Sequence, residues 1–155
     1  DSIPFALKKA VNEAVQLQLP DFQQVTNLVV LGRGLGYAIS KEIALKLKEV
    51  CGIHAEAFSS AEFLHGPVTL VEKHILIIAV MVEDESSHSH QQQMNELNKR
   101  GAEIIYLNQA NQQLHPRIAP LVVLQRFYLD VEKIAISLGL NPDQPAGLKK
   151  VTETL

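Results

Sequence analysis

The chain lacks the features that mark nucleic-acid-binding and membrane proteins. Its 155 residues carry a formal net charge of −3 and contain no run of basic residues, so an electrostatic footprint for nucleic acid is missing. Aromatic residues make up only 5% of the chain, which argues against a platform for stacking bases. The longest apolar run, residues 75–82, is far too short to span a bilayer. We therefore expect neither a nucleic acid nor a membrane as a partner.

Cysteine is almost absent as well, since Cys51 is the only one. A single cysteine cannot form an intrachain disulfide, which is typical of proteins from a reducing compartment. No segment has the pattern of a signal peptide, so we expect a cytoplasmic protein. The sequence opens at Asp1 rather than at Met and begins directly in a helix-like pattern. We therefore expect a fragment, or one domain of a longer protein.

Short apolar runs alternate with segments of helical periodicity, and this alternation predicts one α/β domain. The predicted strands are residues 27–31, 55–58, 75–81 and 103–107, and the predicted helices are residues 4–17, 36–51, 61–64, 89–100 and 121–138. Residues 75–81 are apolar on both faces, as in a central strand of a parallel sheet. The expected architecture is a three-layer α/β/α sandwich with a mainly parallel sheet.

A charged ridge lies on the predicted helix 36–51. Glu42, Lys46 and Glu49 are four and three residues apart, so they share one face of the helix. Apolar residues flank this ridge, namely Ile39, Ile43, Leu47 and Val50 on one side and Leu45 on the other. One interpretation is a series of surface salt bridges, because Glu42 followed by Lys46 is the favoured order. The other is a polar cleft in which a base lies beside a cation, as proton transfer requires.

A glycine-containing turn, Gly32-Arg33-Gly34, joins the first predicted strand to the ridge helix. Backbone N–H groups at such a helix start can hold a phosphate, and a plain tight turn is the alternative. Tyr37 stands where the third glycine of a dinucleotide fingerprint belongs, so we expect no NAD and no other cofactor. Ligands of parallel sheets bind at the carboxyl ends of the strands, where we expect this turn and the loop leading to His65.

Histidine and lysine residues offer further candidates. His65 in a loop can act as an acid or base near neutral pH, although a hydrogen-bonded loop histidine is the simpler interpretation. His88 and His90 follow the acidic residues 83–85, but the segment is polar and we expect no metal site. Lys150 lies near the chain end, where lysines are usually solvated. A lysine forms an imine with a sugar ketone only if its pKa is lowered.

These motifs occur in a fixed order along the chain. They are Gly32-Arg33-Gly34, Glu42-x-Ala44-Leu45-Lys46-Leu47-Lys48-Glu49, His54-Ala55-Glu56-Ala57, Glu62-x-x-His65-Gly66-Pro67, Asn141-Pro142-Asp143-x-Pro145 and Leu148-x-Lys150-Val151-Thr152. Over residues 25–155 the series resembles the SIS (sugar isomerase) domain family. The resemblance is closest to the C-terminal SIS domain of glucosamine-6-phosphate synthases and to the SIS-type glucosamine-6-phosphate deaminases. It implies a flavodoxin-like SIS domain over residues 1–155, with a tail, residues 141–155, that closes over the sugar site.

The resemblance also implies roles for individual residues. Glu49 matches the base that moves a proton between C1 and C2 through an enediol or enolamine, and Lys46 lies beside it in the sugar site. His65 matches a ring-opening histidine that reaches the site of a neighbouring subunit in a homodimer. Lys150 matches a tail lysine that engages the C2 carbonyl. Glu42 is then left to hold Lys46, and Gly32, Arg33 and Gly34 join Lys46 as substrate-binding residues.

The chain departs from the family pattern at two places. The Ser/Thr-rich loop that grips the sugar phosphate has no counterpart, because Ser59-Ser60 falls in the wrong place. We expect this loop in a first SIS domain upstream of Asp1. Ala146 stands where relatives often have arginine.

The expected function is that of an amino-sugar-phosphate deaminase or aminotransferase that interconverts fructose 6-phosphate and glucosamine 6-phosphate. The alternatives are a regulatory module that senses sugar phosphates and a fructosamine-phosphate deglycase.

Overall fold

A parallel sheet of four strands forms the centre of the fold. The computed structural model of the protein describes residues 2–110 and 112–148. The strands are β1 Asn27–Gly32, β2 His54–Ser59, β3 Leu76–Val80 and β4 Glu103–Leu107. They lie in the order β2-β1-β3-β4, and every neighbouring pair is parallel. The predicted strands are confirmed to within one residue at every end.

Helices connect the strands. They are α1 Ser2–Val11, α2 Leu19–Phe22, α3 Leu35–Cys51, α4 Ser60–His65, α5 Ser87–Lys99 and α6 Ala119–Ser137, with a 3₁₀ helix at Pro67–Lys73. The sequence pattern missed α2 and the 3₁₀ helix, because segments this short show little apolar periodicity. Among the described helices, none combines the length and the apolar character needed to cross a membrane.

The two faces of the sheet pack against different helices. Leu28 and Val30 of β1 belong to a core that includes residues of α3 and α6. Val29 and Leu31 belong to a second core with residues of α4 and α5. Successive strand side chains point to opposite faces, so β1 and β3 are buried from both sides. The three-layer α/β/α arrangement predicted from the sequence is confirmed.

The first helix ends earlier than its apolar pattern predicts, because a buried ion pair on α6 binds the segment that follows. Arg126 Nη2 lies 2.7 Å from Asp130 Oδ1, and both side chains are buried. Arg126 donates to the carbonyl groups of Val11 and Glu13, and Asp130 accepts from the N–H of Leu17. These backbone groups are satisfied by side chains rather than by further helical turns. The prediction that the helix continues to residue 17 is therefore wrong.

Cys51 is the last residue of α3 and is buried in the core shared with α6. Burial raises the pKa of its thiol to about 11. Cys51 is thus a packed residue at the end of a helix.

Candidate active site

The charged ridge of α3 borders a cleft between α3, α6 and the segment after α6. The cleft has a volume of about 740 Å³, within the range of roughly 300–1,000 Å³ typical of small-molecule sites. Its walls are Lys46, Glu49 and Val50 of α3, Tyr128, Val131 and Glu132 of α6, and Pro142, Asp143, Gln144, Pro145 and Leu148. The described part of the predicted tail, residues 141–148, thus contributes one wall.

The position of the ridge follows from the packing of α3 on α6. Ile43 and Leu47 of α3 share the core with Phe127 and Val131 of α6. Residues three or four apart lie on one helix face, so the ridge runs beside this buried stripe. Its side chains therefore emerge at the boundary between core and cleft.

Lys46 is held between two carboxylates. Its Nζ donates to Glu49 Oε2 at 2.6 Å and lies 3.8 Å from Glu42 Oε1. The hydroxyl of Tyr128 donates to Glu42 Oε1 at 2.9 Å. The ridge is both a series of ion pairs and one wall of a cleft, so each of the two interpretations holds in part. The nearer partner of Lys46 is Glu49, whereas the sequence suggested Glu42.

These contacts set the charge states of two cleft side chains. The hydrogen bond to Glu49 and the charges of Glu49 and Glu42 raise the pKa of Lys46 above its usual value, against the opposing effect of burial. Lys46 is therefore a cation at neutral pH. Burial, together with the hydrogen bond and the charge of Glu42, raises the pKa of Tyr128 to about 12. Tyr128 consequently remains a protonated donor.

The geometry permits proton transfer next to a carbonyl group. A carboxylate at the cleft surface can accept a proton from carbon and return it to the neighbouring carbon. The adjacent ammonium can stabilise negative charge that develops on oxygen. Glu49 is placed to act as the carboxylate and Lys46 as the ammonium, because both side chains line the cleft. The Glu49 side chain is about a quarter exposed, and the Lys46 side chain about a third.

Two cleft residues of α6 were missed by sequence reasoning. Tyr128 and Glu132 are one helical turn apart and both face the cleft. The sequence does show that Val131 and Glu132 lie three and four residues after Tyr128, so the three share one helix face that is partly polar and partly apolar. Which helix this stripe faces depends on the tertiary fold, since Tyr128 and Glu42 are 86 positions apart.

The structure places Gly32, Arg33 and Gly34 away from this cleft. They precede the first turn of α3, whereas Glu49 lies in its last turns, about 20 Å along the helix axis at 1.5 Å per residue. The carboxyl ends of the strands therefore carry the glycine turn, while the cleft lies nearer the opposite edge of the sheet. This differs from the expectation that these three residues would bind the substrate together with Lys46.

A carboxylate of the chain itself occupies the position where a phosphate was expected. The Leu35 N–H at the start of α3 donates to Asp84 Oδ2 at 2.8 Å. Gly34 has a φ of +53°, and a Cβ there would clash with Asp84 and Ser86. Burial alone would raise the pKa of Asp84, but hydrogen bonds from Ser86 and Leu35 and the charge of His90 bring it below its usual value. The turn is thus closed by an internal anion.

His65 lies away from the cleft. His65 is the last residue of α4 and is exposed. Phe63 of the same helix packs in the core on the other face of the sheet from α3. Lys150 lies outside the described residues.

His90 is a buried structural residue rather than a metal ligand. Its Nε2 donates to the Val80 carbonyl at 3.1 Å, and its Nδ1 lies 2.8 Å from Ser60 Oγ. Burial lowers the pKa of His90, with the charge of Arg33 acting in the same direction. Within residues 2–110 and 112–148, no cluster of three His, Cys, Asp or Glu side chains is placed to hold a metal ion.

Comparison with known proteins now identifies the domain. Residues 21–116 match the SIS domain family. The chain belongs to this family. A relative of the SIS domain described here is glutamine–fructose-6-phosphate aminotransferase (isomerizing) of Bartonella quintana, which is 36% identical over 145 residues. The match covers 84% of this chain and 24% of that relative, so this SIS domain spans about a quarter of the length of such curated relatives.

Solved structures agree with this assignment. The C-terminal domain of glucosamine-fructose-6-phosphate aminotransferase from Francisella tularensis is 31% identical with a TM-score of 0.73, covering 92% of this SIS domain and 43% of that chain. Glucosamine-6-phosphate deaminase from Thermotoga maritima shares the fold, with a TM-score of 0.64 at 24% identity, covering 96% of this chain and 44% of that one. The family and the fold predicted from the sequence are both confirmed.

Proposed function

We propose that this SIS domain supplies the proton-transfer half of an amino-sugar-phosphate isomerase site. The full-length protein would interconvert fructose 6-phosphate and glucosamine 6-phosphate, with ammonia released or incorporated. The observation that carries the proposal is the Lys46–Glu49 pair, 2.6 Å apart at the wall of a 740 Å³ cleft. The named relatives, an aminotransferase and a deaminase of the same sugar phosphates, support it.

In the proposed reaction Glu49 takes a proton from the carbon next to the carbonyl or imine of the open-chain sugar. The electron pair of the broken C–H bond forms an enediol or enolamine, and Lys46 stabilises the charge on its oxygen. The proton then returns to the adjacent carbon. For glucosamine 6-phosphate the proton moves from C2 to C1, so the C1 carbonyl becomes a hydroxyl group and the C2 amine becomes an imine. In the deaminating direction, water then hydrolyses the imine at C2 to give the ketose and ammonia.

The charge of the cleft favours a substrate that carries an amine. Glu49, Glu132 and Asp143 provide three carboxylates among the described lining residues, against the single ammonium of Lys46. This surplus of negative charge attracts an ammonium group. It does not attract a phosphate, so the phosphate grip is assigned to a first SIS domain. Ser60 cannot replace that grip, because it is fully buried and bonded to His90 and Gln93.

The remaining roles complete the proposal. His65 opens the sugar ring in the site of a neighbouring copy within a homodimer, which accords with its exposure and its distance in the fold from the cleft of its own chain. Lys150, two residues after the described part of the tail, engages the C2 carbonyl of the bound sugar.

The Glu49→Gln variant of the full-length protein tests the central step. We expect turnover of glucosamine 6-phosphate to fall by at least about a hundredfold, because the amide cannot accept the proton, while binding of the sugar phosphate persists. Ammonia release and calorimetric binding are the measurements. The matched control is Glu72→Gln, an exposed glutamate of the 3₁₀ helix, which should remain near wild type. Wild-type turnover in Glu49→Gln would contradict the role of Glu49 as the proton-transfer base.

Subunit complementation tests the role of His65. Equal amounts of inactive Glu49→Gln and His65→Asn proteins are mixed, dissociated and reassembled. If His65 acts across the interface, each mixed dimer contains one site with both native residues, and activity returns. If His65 acts within its own chain, the mixture stays inactive.

A sensing role is the second candidate. It is favoured by the finding that, among the described residues, only Glu49 and Lys46 of the proposed catalytic set meet at the cleft. A sensor would bind the sugar phosphate without releasing ammonia. A deglycase would instead release larger amines, so a panel of fructosamine 6-phosphates separates that possibility from a deaminase.

A further inference from the structure

Glu132 of α6 borders the same cleft as Glu49 but has no part in the proposed proton transfer. The hydrogen bond from Tyr128 to Glu42 joins α6 to α3. Glu132 follows Tyr128 by four residues, and Lys46 follows Glu42 by four residues, so each lies one helical turn beyond this contact. The axes of packed helices are about 8–10 Å apart. One small ligand in the cleft can therefore touch Glu132 and the Lys46–Glu49 pair together.

The carboxylate of Glu132 is not neutralised by a described group of the chain. Within residues 2–110 and 112–148, the ion pairs involve other carboxylates, and none of them includes Glu132. Lys46, the one cation of the described cleft lining, is already paired with Glu42 and Glu49. A cation supplied by a ligand would therefore find in Glu132 an anion that is free to form a charge-assisted hydrogen bond.

The other two carboxylates of the cleft lining are less suited to this role. Glu49 is bonded to Lys46 at 2.6 Å and is the proposed base. Asp143 belongs to the loop after α6. Glu132 lies on a helix, directly after Val131, which is buried in the core. Groups on helices are positioned more precisely than groups on loops.

The helix that carries Glu132 is fixed on two sides before any ligand binds. Phe127 and Val131 pack into the core that α6 shares with α3. The buried pair of Arg126 and Asp130 binds the segment that follows α1. A carboxylate on such a rigid support loses little conformational freedom when a ligand binds.

The group that a carboxylate can distinguish on a sugar phosphate is an amine. An amino sugar phosphate and its hydroxyl counterpart have the same size and differ at C2 alone. The protonated amine is a cation and forms a charge-assisted hydrogen bond with a carboxylate, whereas a hydroxyl group forms a weaker one. A carboxylate next to C2 therefore favours the amino sugar.

We propose that Glu132 is a specificity-determining residue that pairs with the protonated C2 amine of the sugar phosphate. The inference rests on the proposed function, because proton transfer by Glu49 places C2 in this cleft. It assigns the choice between amino and hydroxyl sugar phosphates to α6, and the proton transfer itself to α3.

Two open-chain probes test the proposal on the full-length protein, namely glucosaminitol 6-phosphate and glucitol 6-phosphate. They differ only in the amine or hydroxyl group at C2. Neither has a carbonyl group, so neither is turned over and calorimetry measures binding alone. We expect the wild type to bind the amino probe about five- to tenfold more tightly, as a hydrogen bond to a charged group in a partly solvated cleft allows.

The isosteric Glu132→Gln variant should lose most of this preference. It should weaken binding of the amino probe and leave binding of glucitol 6-phosphate within about twofold, because the amide carries no charge to pair with the ammonium. The matched control is Glu72→Gln, at an exposed glutamate of the 3₁₀ helix, which should keep the wild-type preference. Asp143→Asn should keep most of it as well.

The proposal is overturned if the wild type does not prefer the amino probe, or if Glu132→Gln keeps the wild-type preference. It is also overturned if Glu132→Gln weakens binding of both probes equally, which would indicate a structural role, or if Asp143→Asn alone abolishes the preference. Failure of the proposed function is a separate result, since it would appear as wild-type turnover of glucosamine 6-phosphate in Glu49→Gln.

Discussion

The two ends of α3 carry the two motifs that the sequence predicts to bind a ligand, but only one of them is accessible in the structure. At the carboxyl end, Lys46 and Glu49 form a charged pair whose side chains remain partly exposed in a cleft. At the amino end, the turn around Gly34 is filled by the carboxylate of Asp84. Both ends satisfy their charges by pairing. Only the first leaves those charges accessible to a substrate.

The difference shows what distinguishes a site from a structural connection. A helix start attracts any anion, and the chain supplies one itself through Asp84. The charged residues of the ridge also pair with one another. However, the facing residues of α6 and of the segment 142–148 are separated from the ridge by the cleft, which leaves room for a ligand. Accessibility therefore depends on the packing around the charged residues rather than on the residues themselves.

The largest expected effect is at the open end. Replacing Lys46 by Met removes the cation beside Glu49 and should reduce turnover of glucosamine 6-phosphate by about a hundredfold, as loss of an electrostatic stabiliser typically does. Lys48→Met changes an exposed lysine on the same helix and should have little effect. Steady-state kinetics of the full-length variants is the measurement. Similar losses in both variants would mean that the effect comes from the helix and not from the cleft.

At the closed end the expected effect is on stability. Gly34→Ala forces a side chain into a φ of +53° and against Asp84 and Ser86, which should cost about 2–4 kcal/mol of unfolding free energy. Gly101→Ala has a φ of +83° but no atom within 4 Å of the new Cβ, so it should cost about 1 kcal/mol. Urea unfolding compares the two. Equal costs would show that Asp84 does not close the turn.

The closed end should also respond to acid. Burial lowers the pKa of His90 from the ordinary value of 6.5, so below pH 6.5 the unfolded chain binds the proton more readily than the folded one. The contribution of neutral His90 to stability should therefore be fully present above pH 6.5, and it should be lost as the pH falls below 6.5 through the lower pKa of the folded state. His90→Gln should flatten this part of the curve in denaturant unfolding. An unchanged slope in the variant would assign the acid sensitivity to other groups.

The smallest expected effect is at the rim of the cleft. Tyr128→Phe removes the hydrogen bond to Glu42 and should lower turnover by only about two- to tenfold, in proportion to a net hydrogen bond of roughly 0.5–1.5 kcal/mol. Tyr37→Phe, a tyrosine that stacks with Lys41 near the other end of α3, serves as the control. A loss as large as that of Lys46→Met would place Tyr128 in direct contact with the substrate.

Local sequence patterns predicted the strands and most of the helices, whereas contacts between distant residues determined where α1 ends and what fills the turn before α3. The all-apolar run of β3 and the spacing of the ridge on α3 were visible in the sequence, because each depends on neighbours within one or two turns. The early end of α1 was not, since Asp130 binds Leu17 across 113 positions. Asp84 likewise fills the turn at Leu35 from 49 positions away. Periodicity places residues on faces, but it does not say which distant side chain reaches them.

The ion pair of Arg126 and Asp130 has a mechanical consequence for the cleft. One side of α6 clamps the stretch that follows α1, while Tyr128 and Glu132 on the same helix border the opening. The segment that follows α1 is thus bound to the same helix that forms one wall of the cleft. A displacement of residues 11–17 would therefore be transmitted through this ion pair to the cleft wall that Tyr128 and Glu132 form.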